Sequence, residues 1–287
     1  MAKLLATDLD GTLFYPGKIK TCIPKKNIKF LQRWIDAGNR LVLITSRSYE
    51  FVKRLKKEIN RPFDVLSCSS AQIYSDDRLI RDVAMPNQTI IEILKVIDDD
   101  YKPLSFMMTT KEYPCIINAN REVGHFFIFF YLIWKFFQFK RDEPYIFSNE
   151  TFREQLKNGQ IYKVMIFFGL EHSKKKFTKE LNKKFRSKYP MLEFSWSSEI
   201  IEITPFGCSK GTGLKYYADA LGFKKEDIYV VGDSGNDIAM FTEFYENSYC
   251  MKHAYTSVRK YAKHTISRVH KLEKMLLKGD TKQNEQN

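Results

Sequence analysis

The sequence has no C-x-x-C pair. Its five cysteines (Cys22, Cys68, Cys115, Cys208 and Cys250) are odd in number and widely spread over 287 residues. This argues against a disulfide framework and against a zinc knuckle, and it fits a reducing cytoplasm. The five histidines (His125, His172, His253, His264 and His270) show no H-E-x-x-H or other metal-ligand spacing. No basic-apolar-small leader opens the chain. The longest apolar run, Phe126 to Trp134, has nine residues before Lys135. A membrane-spanning helix needs about 20, so no span is expected. Internal repeats and low-complexity linkers are also missing.

Positive charge is in excess. The 47 Lys+Arg against 34 Asp+Glu leave +13. One reading is a solvated, lysine-rich surface, and another is attraction of phosphorylated metabolites or nucleic acid. No zinc-finger, RRM or helix-turn-helix signature supports nucleic-acid binding, so no nucleic-acid partner is expected. Hydrophobic residues make up 44% and charged residues 28%, an ordinary globular balance that excludes wholesale disorder.

Strand and helix patterns alternate through the first 75 residues. Leu4 to Thr7, Leu41 to Ile44 and Phe63 to Leu66 read as buried strands, Asn27 to Ala37 and Tyr49 to Ile59 as helices. The spacing predicts a parallel sheet. A different pattern follows. It holds a helix over Ile90 to Ile97, a strand pair over Leu104 to Met108 and Cys115 to Asn118, further strands, and a lysine-rich helix from Ser173 to Lys188. Alternation returns with helix Gly211 to Ala220, strand Ile228 to Val231 and helix Ile238 to Phe244. The fold class expected is α/β: a Rossmann-like parallel-sheet core, residues 1–80 and 195–278, with an inserted α+β cap, 81–194, and a flexible tail, 279–287. The cap should sit over the carboxyl edge of the sheet, where open α/β sheets bind ligands.

Four carboxylates carry the chemistry. Asp8 and Asp10 follow one apolar strand, and Asp233 and Asp237 follow another. If those strands are neighbours, the acids converge at one sheet edge and need a cation. Oxygen ligands with open positions favour Mg²⁺, which keeps waters and accepts phosphate oxygens. Gly11 allows a sharp turn with exposed backbone N–H groups. Thr45 and Lys210 offer a hydroxyl and a fixed cation to a phosphoryl group. The segment Gly207 to Thr212 lacks the G-x-x-x-x-G-K-[ST] spacing, so a P-loop is rejected.

Asp8-Leu9-Asp10-Gly11-Thr12-Leu13 resembles the first motif of the haloacid dehalogenase-like hydrolases. Ile44-Thr45-Ser46-Arg47 resembles their second motif, Ser209-Lys210-Gly211 the third, and Gly232-Asp233-Ser234-Gly235-Asn236-Asp237 the fourth. The long insert between the second and third is similar to the large cap of Cof-type and sucrose-phosphatase-like members. The resemblance implies a Mg²⁺-dependent phosphatase acting on a small phosphorylated metabolite, a sugar phosphate first. Asp8 would be the nucleophile and form an aspartyl-phosphate. Asp10 would serve as acid and then base. Asp8, Asp10 (through its backbone carbonyl), Asp233 and Asp237 would hold the metal. Gly11, Thr45, Ser46, Arg47, Lys210 and Asn236 would bind the phosphoryl group. A phosphomutase and a non-catalytic phosphate-ligand or nucleic-acid binding protein are the alternatives; the intact acids and Lys210 argue against the latter. Three positions depart from the family pattern: Ser46 where glycine is common, Ser69-Ser70-Ala71 where Asn-Gly-Ala is common, and His253-Ala254 where Asn-Ala is common. The aromatic segment 126–137 suggests a cap helix, a dimer interface, a lid or a membrane-surface contact, and these stay open.

Overall fold

The computed structural model describes residues 2–17, 22–119, 144–169, 172–197 and 200–277. The aromatic segment 126–137, the tail 279–287 and the side chains of Lys174, Lys175 and Lys176 lie outside the described residues.

Eight strands form the first sheet. Their order is β14 (His264–Ile266), β13 (Ser248–Met251), β12 (Ile228–Gly232), β1 (Leu4–Thr7), β2 (Arg40–Ile44), β3 (Asp64–Ser67), β4 (Gln72–Ser75) and β5 (Arg78–Asp82). From β14 to β3 the pairing is parallel, and β4 and β5 add an antiparallel hairpin at one edge. Every residue of β1 is buried. Leu5 packs on one side with Phe30, Leu31 and Trp34 of helix α1 (Lys25–Asp36). Leu4 and Ala6 pack on the other with Leu214, Tyr217, Met240 and Phe241. Burial on both faces explains why the central strands read as unbroken apolar runs.

The second sheet has six strands. Their order is β10 (Leu192–Ser197), β11 (Ile200–Pro205), β9 (Ile161–Phe167), β6 (Ser105–Thr110), β7 (Ile116–Ala119) and β8 (Ile146–Phe147). Alternation divides its side chains. Phe106, Met108, Val164, Ile166, Ile201 and Ile203 pack against helices α2 (Asn87–Tyr101), α3 (Asn149–Asn158) and α4 (His172–Lys188). Met107, Ile117, Lys163, Met165, Ile200 and Glu202 line a cavity that faces the first sheet.

Two expectations need correction. The hairpin β4–β5 extends the first sheet through Asp82, and β10 and β11 belong to the second sheet. Sheet membership therefore moves the second boundary from 194/195 to after Pro205. The cause is pairing: the β10–β11 hairpin bonds to β9, which a strand pattern read alone does not reveal. The helix expected over Tyr49 to Ile59 is two short segments, Tyr49–Lys53 and Lys56–Ile59. Among the described residues no helix is long and apolar enough to cross a membrane.

Candidate active site

The strands β1 and β12 are hydrogen-bonded neighbours. Their chains therefore leave the sheet side by side, and the Asp8 N–H still donates to the Val231 carbonyl at 2.9 Å. Carboxylate oxygens of Asp8, Asp233 and Asp237 lie within 4.8 Å of one another. The turn after β1 brings the backbone against this cluster. A Cβ on Gly11, whose φ is +79°, would stand 2.3 Å from Asp233 Oδ2. Only glycine fits there, on both conformational and steric grounds.

Lys210 opens helix α5 (Lys210–Ala220), whose start is fixed by a reciprocal cap between Ser209 and Thr212. That cap aims the buried ammonium inward. Its Nζ donates to Asp8 Oδ1 and to Asp237 Oδ1, each at 2.6 Å. Asp237 Oδ2 accepts from the backbone N–H groups of Asp233 at 2.9 Å and Ser234 at 2.8 Å. Asp237 is therefore saturated by its own loop and by Lys210. Asp233 Oδ1 accepts from Thr12 Oγ1 at 2.7 Å. Asp8 Oδ2 makes no hydrogen bond among the described residues, and Asp8 lines the cavity.

Three carboxylates here face one ammonium. Burial pushes the Asp233 carboxyl up to about 7, with Asp237 adding to the rise and the Thr12 hydroxyl opposing it. Burial likewise holds the Asp8 carboxyl above its usual range, and Asp237 and Asp233 add to this against the pull of Lys210. Burial opposes charge on Lys210, but Asp237 and Asp8 outweigh it and keep the ammonium protonated. An oxygen donor set with more negative charge than its one lysine neutralises fits a hard divalent cation.

Asp10 stands apart from that group. Arg47 Nε and an Nη bond both its carboxylate oxygens, at 2.6 and 2.7 Å. Desolvation acts to raise its pKa, but the charge and hydrogen bonds of Arg47 prevail and hold it below the usual value. Its side chain is therefore not among the clustered acids, which corrects the expectation of four converging carboxylates. The second reason is geometric, since Asp10 points toward β2's loop. Thr45, buried at the end of β2, accepts the Arg47 N–H on Oγ1 at 3.1 Å and lines the cavity. Asn236 donates from Nδ2 to Ser46 Oγ at 3.0 Å and accepts from Ser234 Oγ at 2.6 Å. Both ends of its amide thus bind protein groups.

The cavity of about 540 Å³ joins these residues to the second sheet. A Cβ on Gly235 would stand 2.6 Å from the Trp196 carbonyl oxygen, so β10 rests directly on the fourth-motif loop. Sequence reasoning assigned no role to Thr12, His253, Lys163 or Glu202. Thr12 carried a signal, because it follows Asp10-Gly11 within the first motif. His253 packs against Tyr15 with ring centroids 3.9 Å apart and planes tilted by 33°, and its Nε2 is 4.0 Å from Asp233 Oδ2. Lys163 and Glu202 are single charges inside apolar strands, which is a legible signal of a buried polar function.

The sequence profile of the haloacid dehalogenase-like hydrolases matches residues 5–272. The 5-amino-6-(5-phospho-D-ribitylamino)uracil phosphatase YwtE of Bacillus subtilis is 28% identical, over 83% of this chain and 84% of that protein. Among solved structures, SMU.1108c of Streptococcus mutans UA159 superposes with a TM-score of 0.78 at 19% identity, over 97% of this chain and 100% of that one. The subclass IIB sugar phosphatase BT4131 gives 0.73 at 19% identity, over 96% and 98%. The chain belongs to the haloacid dehalogenase-like hydrolase family. It is an enzyme of that family, similar along most of its length to proteins named as phosphatases.

Proposed function

We propose that the chain hydrolyses a small phosphorylated metabolite through a phosphoryl-enzyme on Asp8, with Mg²⁺ as cofactor. One observation carries this reading: a buried carboxylate whose Oδ1 is fixed by Lys210 and whose Oδ2 is free to face the cavity. Fixing one oxygen orients the other as a nucleophile. Asp8 Oδ2 attacks phosphorus, and the bond from phosphorus to the ester oxygen breaks. Asp10 donates a proton to that departing oxygen. Water then attacks phosphorus, Asp10 takes its proton, and the bond to Asp8 breaks to release inorganic phosphate.

Arg47 holds Asp10 in its ionised form, which suits the second step. A phosphoryl dianion arriving beside Asp10 opposes Arg47 and raises the carboxyl pKa, which suits the first. Thr45, Ser46 and the turn at Gly11 line the cavity and would surround the phosphoryl oxygens, with Lys210 beside Asp8 and Asn236 supporting Ser46. Asp8, Asp233 and the Asp10 backbone carbonyl would hold Mg²⁺, and Asp237 would set their orientation. The bound cation offsets repulsion between the nucleophile and the phosphate.

A sugar phosphate is the first substrate to test. YwtE, by its name, acts on a phosphorylated ribityl compound, and BT4131 is a sugar phosphatase. Five buried, widely spaced cysteines fit a cytoplasmic setting. The test is phosphate release from p-nitrophenyl phosphate with and without Mg²⁺. Turnover that needs Mg²⁺ and vanishes in Asp8→Asn is the expected result. Turnover indifferent to Asp8 overturns the reading.

A further inference from the structure

Glu202 and Lys163 are buried on the cavity side of the second sheet, among Met107, Met165 and Ile200. Glu202 is only 4% exposed. Its Oε2 accepts from Ser46 Oγ at 3.0 Å and Ser195 Oγ at 3.2 Å, with Ser69 Oγ at 3.4 Å. Ser46 in turn accepts from Asn236. Lys163 Nζ donates to the Ser46 backbone carbonyl and ties β9 to the same loop. One oxygen of the carboxylate is thus locked by three hydroxyls drawn from both sheets. Its Oε1 makes no hydrogen bond among the described residues, although Glu202 lines the cavity that holds Asp8. Of the second-sheet residues that line it, Glu202 carries the only carboxylate among the described residues.

A buried carboxylate with an unused oxygen needs a donor. We infer that Glu202 is a specificity-determining residue: its Oε1 accepts a hydrogen bond from a hydroxyl or amino group on the leaving group. The lock on Oε2 fixes where that donor must lie relative to the phosphoryl site. The anchor depends on Ser46, which stands where the family commonly has glycine. The inference rests on the phosphatase reading.

The test uses a matched pair, glycerol 3-phosphate and n-propyl phosphate, which share a carbon skeleton and differ in hydroxyls. The readout is the ratio of their kcat/KM values, in which a general loss cancels. Wild type should favour the hydroxylated ester by about tenfold or more, as a site built to bond a hydroxyl does. Glu202→Gln, locked by the same hydroxyls, exchanges the charged acceptor for an amide N–H, to which a hydroxyl bonds only as a neutral acceptor, and should lower the ratio about fivefold. Ser195→Ala loosens the lock without changing the carboxylate, and should lower the ratio about threefold; it also serves if Glu202→Gln does not fold. Turnover of both esters with no preference in wild type, or with an unchanged ratio in the variants, overturns the inference alone. Turnover of neither ester, while p-nitrophenyl phosphate is hydrolysed with Mg²⁺, also overturns the inference alone; turnover of none of the three overturns the phosphatase reading and the inference with it.

Discussion

At the carboxyl edge of the first sheet, Asp8 and Asp237 are buried and both accept hydrogen bonds from the buried Lys210. On the facing side, Met107, Ile117, Met165 and Ile200 offer the same cavity mostly apolar surface, with Lys163 and Glu202 as the charged exceptions. The first end is over-determined: each acid has a partner that fixes its position. The second end is sparse, and few contacts decide what fits there. Chemistry belongs to the rigid end and selection to the sparse one.

That contrast breaks most completely at the nucleophile. Asp8→Asn should lower turnover of every ester by about 10⁴-fold or more, since a residue at the reacting atom acts as a unit with its neighbours. A phosphate-release assay across several esters checks this. Lys210→Met leaves Asp8 and Asp237 buried without their cation. It should abolish most activity and cost about 3–5 kcal/mol in a denaturant titration. Thr12→Val removes the hydroxyl that orients Asp233 and should weaken Mg²⁺ binding about 10–100-fold, as loss of a supporting contact does. Calorimetric titration with Mg²⁺ reads it.

The pH dependence follows from Asp233. In the metal-free protein its pKa lies near 7 because of burial. A raised acid pKa means that the folded chain holds this proton more tightly than the unfolded one. The group's contribution to stability is therefore lost as pH rises from about 4 through 7, and Mg²⁺ restores it. The rise in melting temperature on adding Mg²⁺ should accordingly be larger at pH 8 than at pH 6. The smallest effect belongs to the facing sheet. Met165→Ala should shift relative kcat/KM among esters by about tenfold, without removing Mg²⁺ dependence.

Much of the first end was legible in the sequence, because its residues sit in short motifs after strong apolar strands. Asp8 and Asp233 meet because β1 and β12 pair, the condition on which the sequence reading depends. Asp10 was misplaced because its partner, Arg47, lies 37 residues away and no local pattern ties them. Asn236 stood near the site but bonds to Ser46, a contact that requires the third dimension. The second sheet was harder to read. The strands β10 and β11 form a hairpin whose allegiance depends on pairing with β9. Glu202 binds Ser46 across 156 residues, a contact that no local pattern in the sequence ties together.

The central claim is a covalent phosphoryl group on Asp8. The most direct measurement is an acid-quenched single turnover of Asp10→Asn with Mg²⁺ and p-nitrophenyl phosphate, followed by peptide mapping by mass. Without the second acid the intermediate should persist. The expected result is one added phosphoryl group, labile to hydroxylamine, on the peptide that contains Asp8. Product released with no phosphorylated peptide at any time, or a phosphoryl group on another residue, would contradict the account.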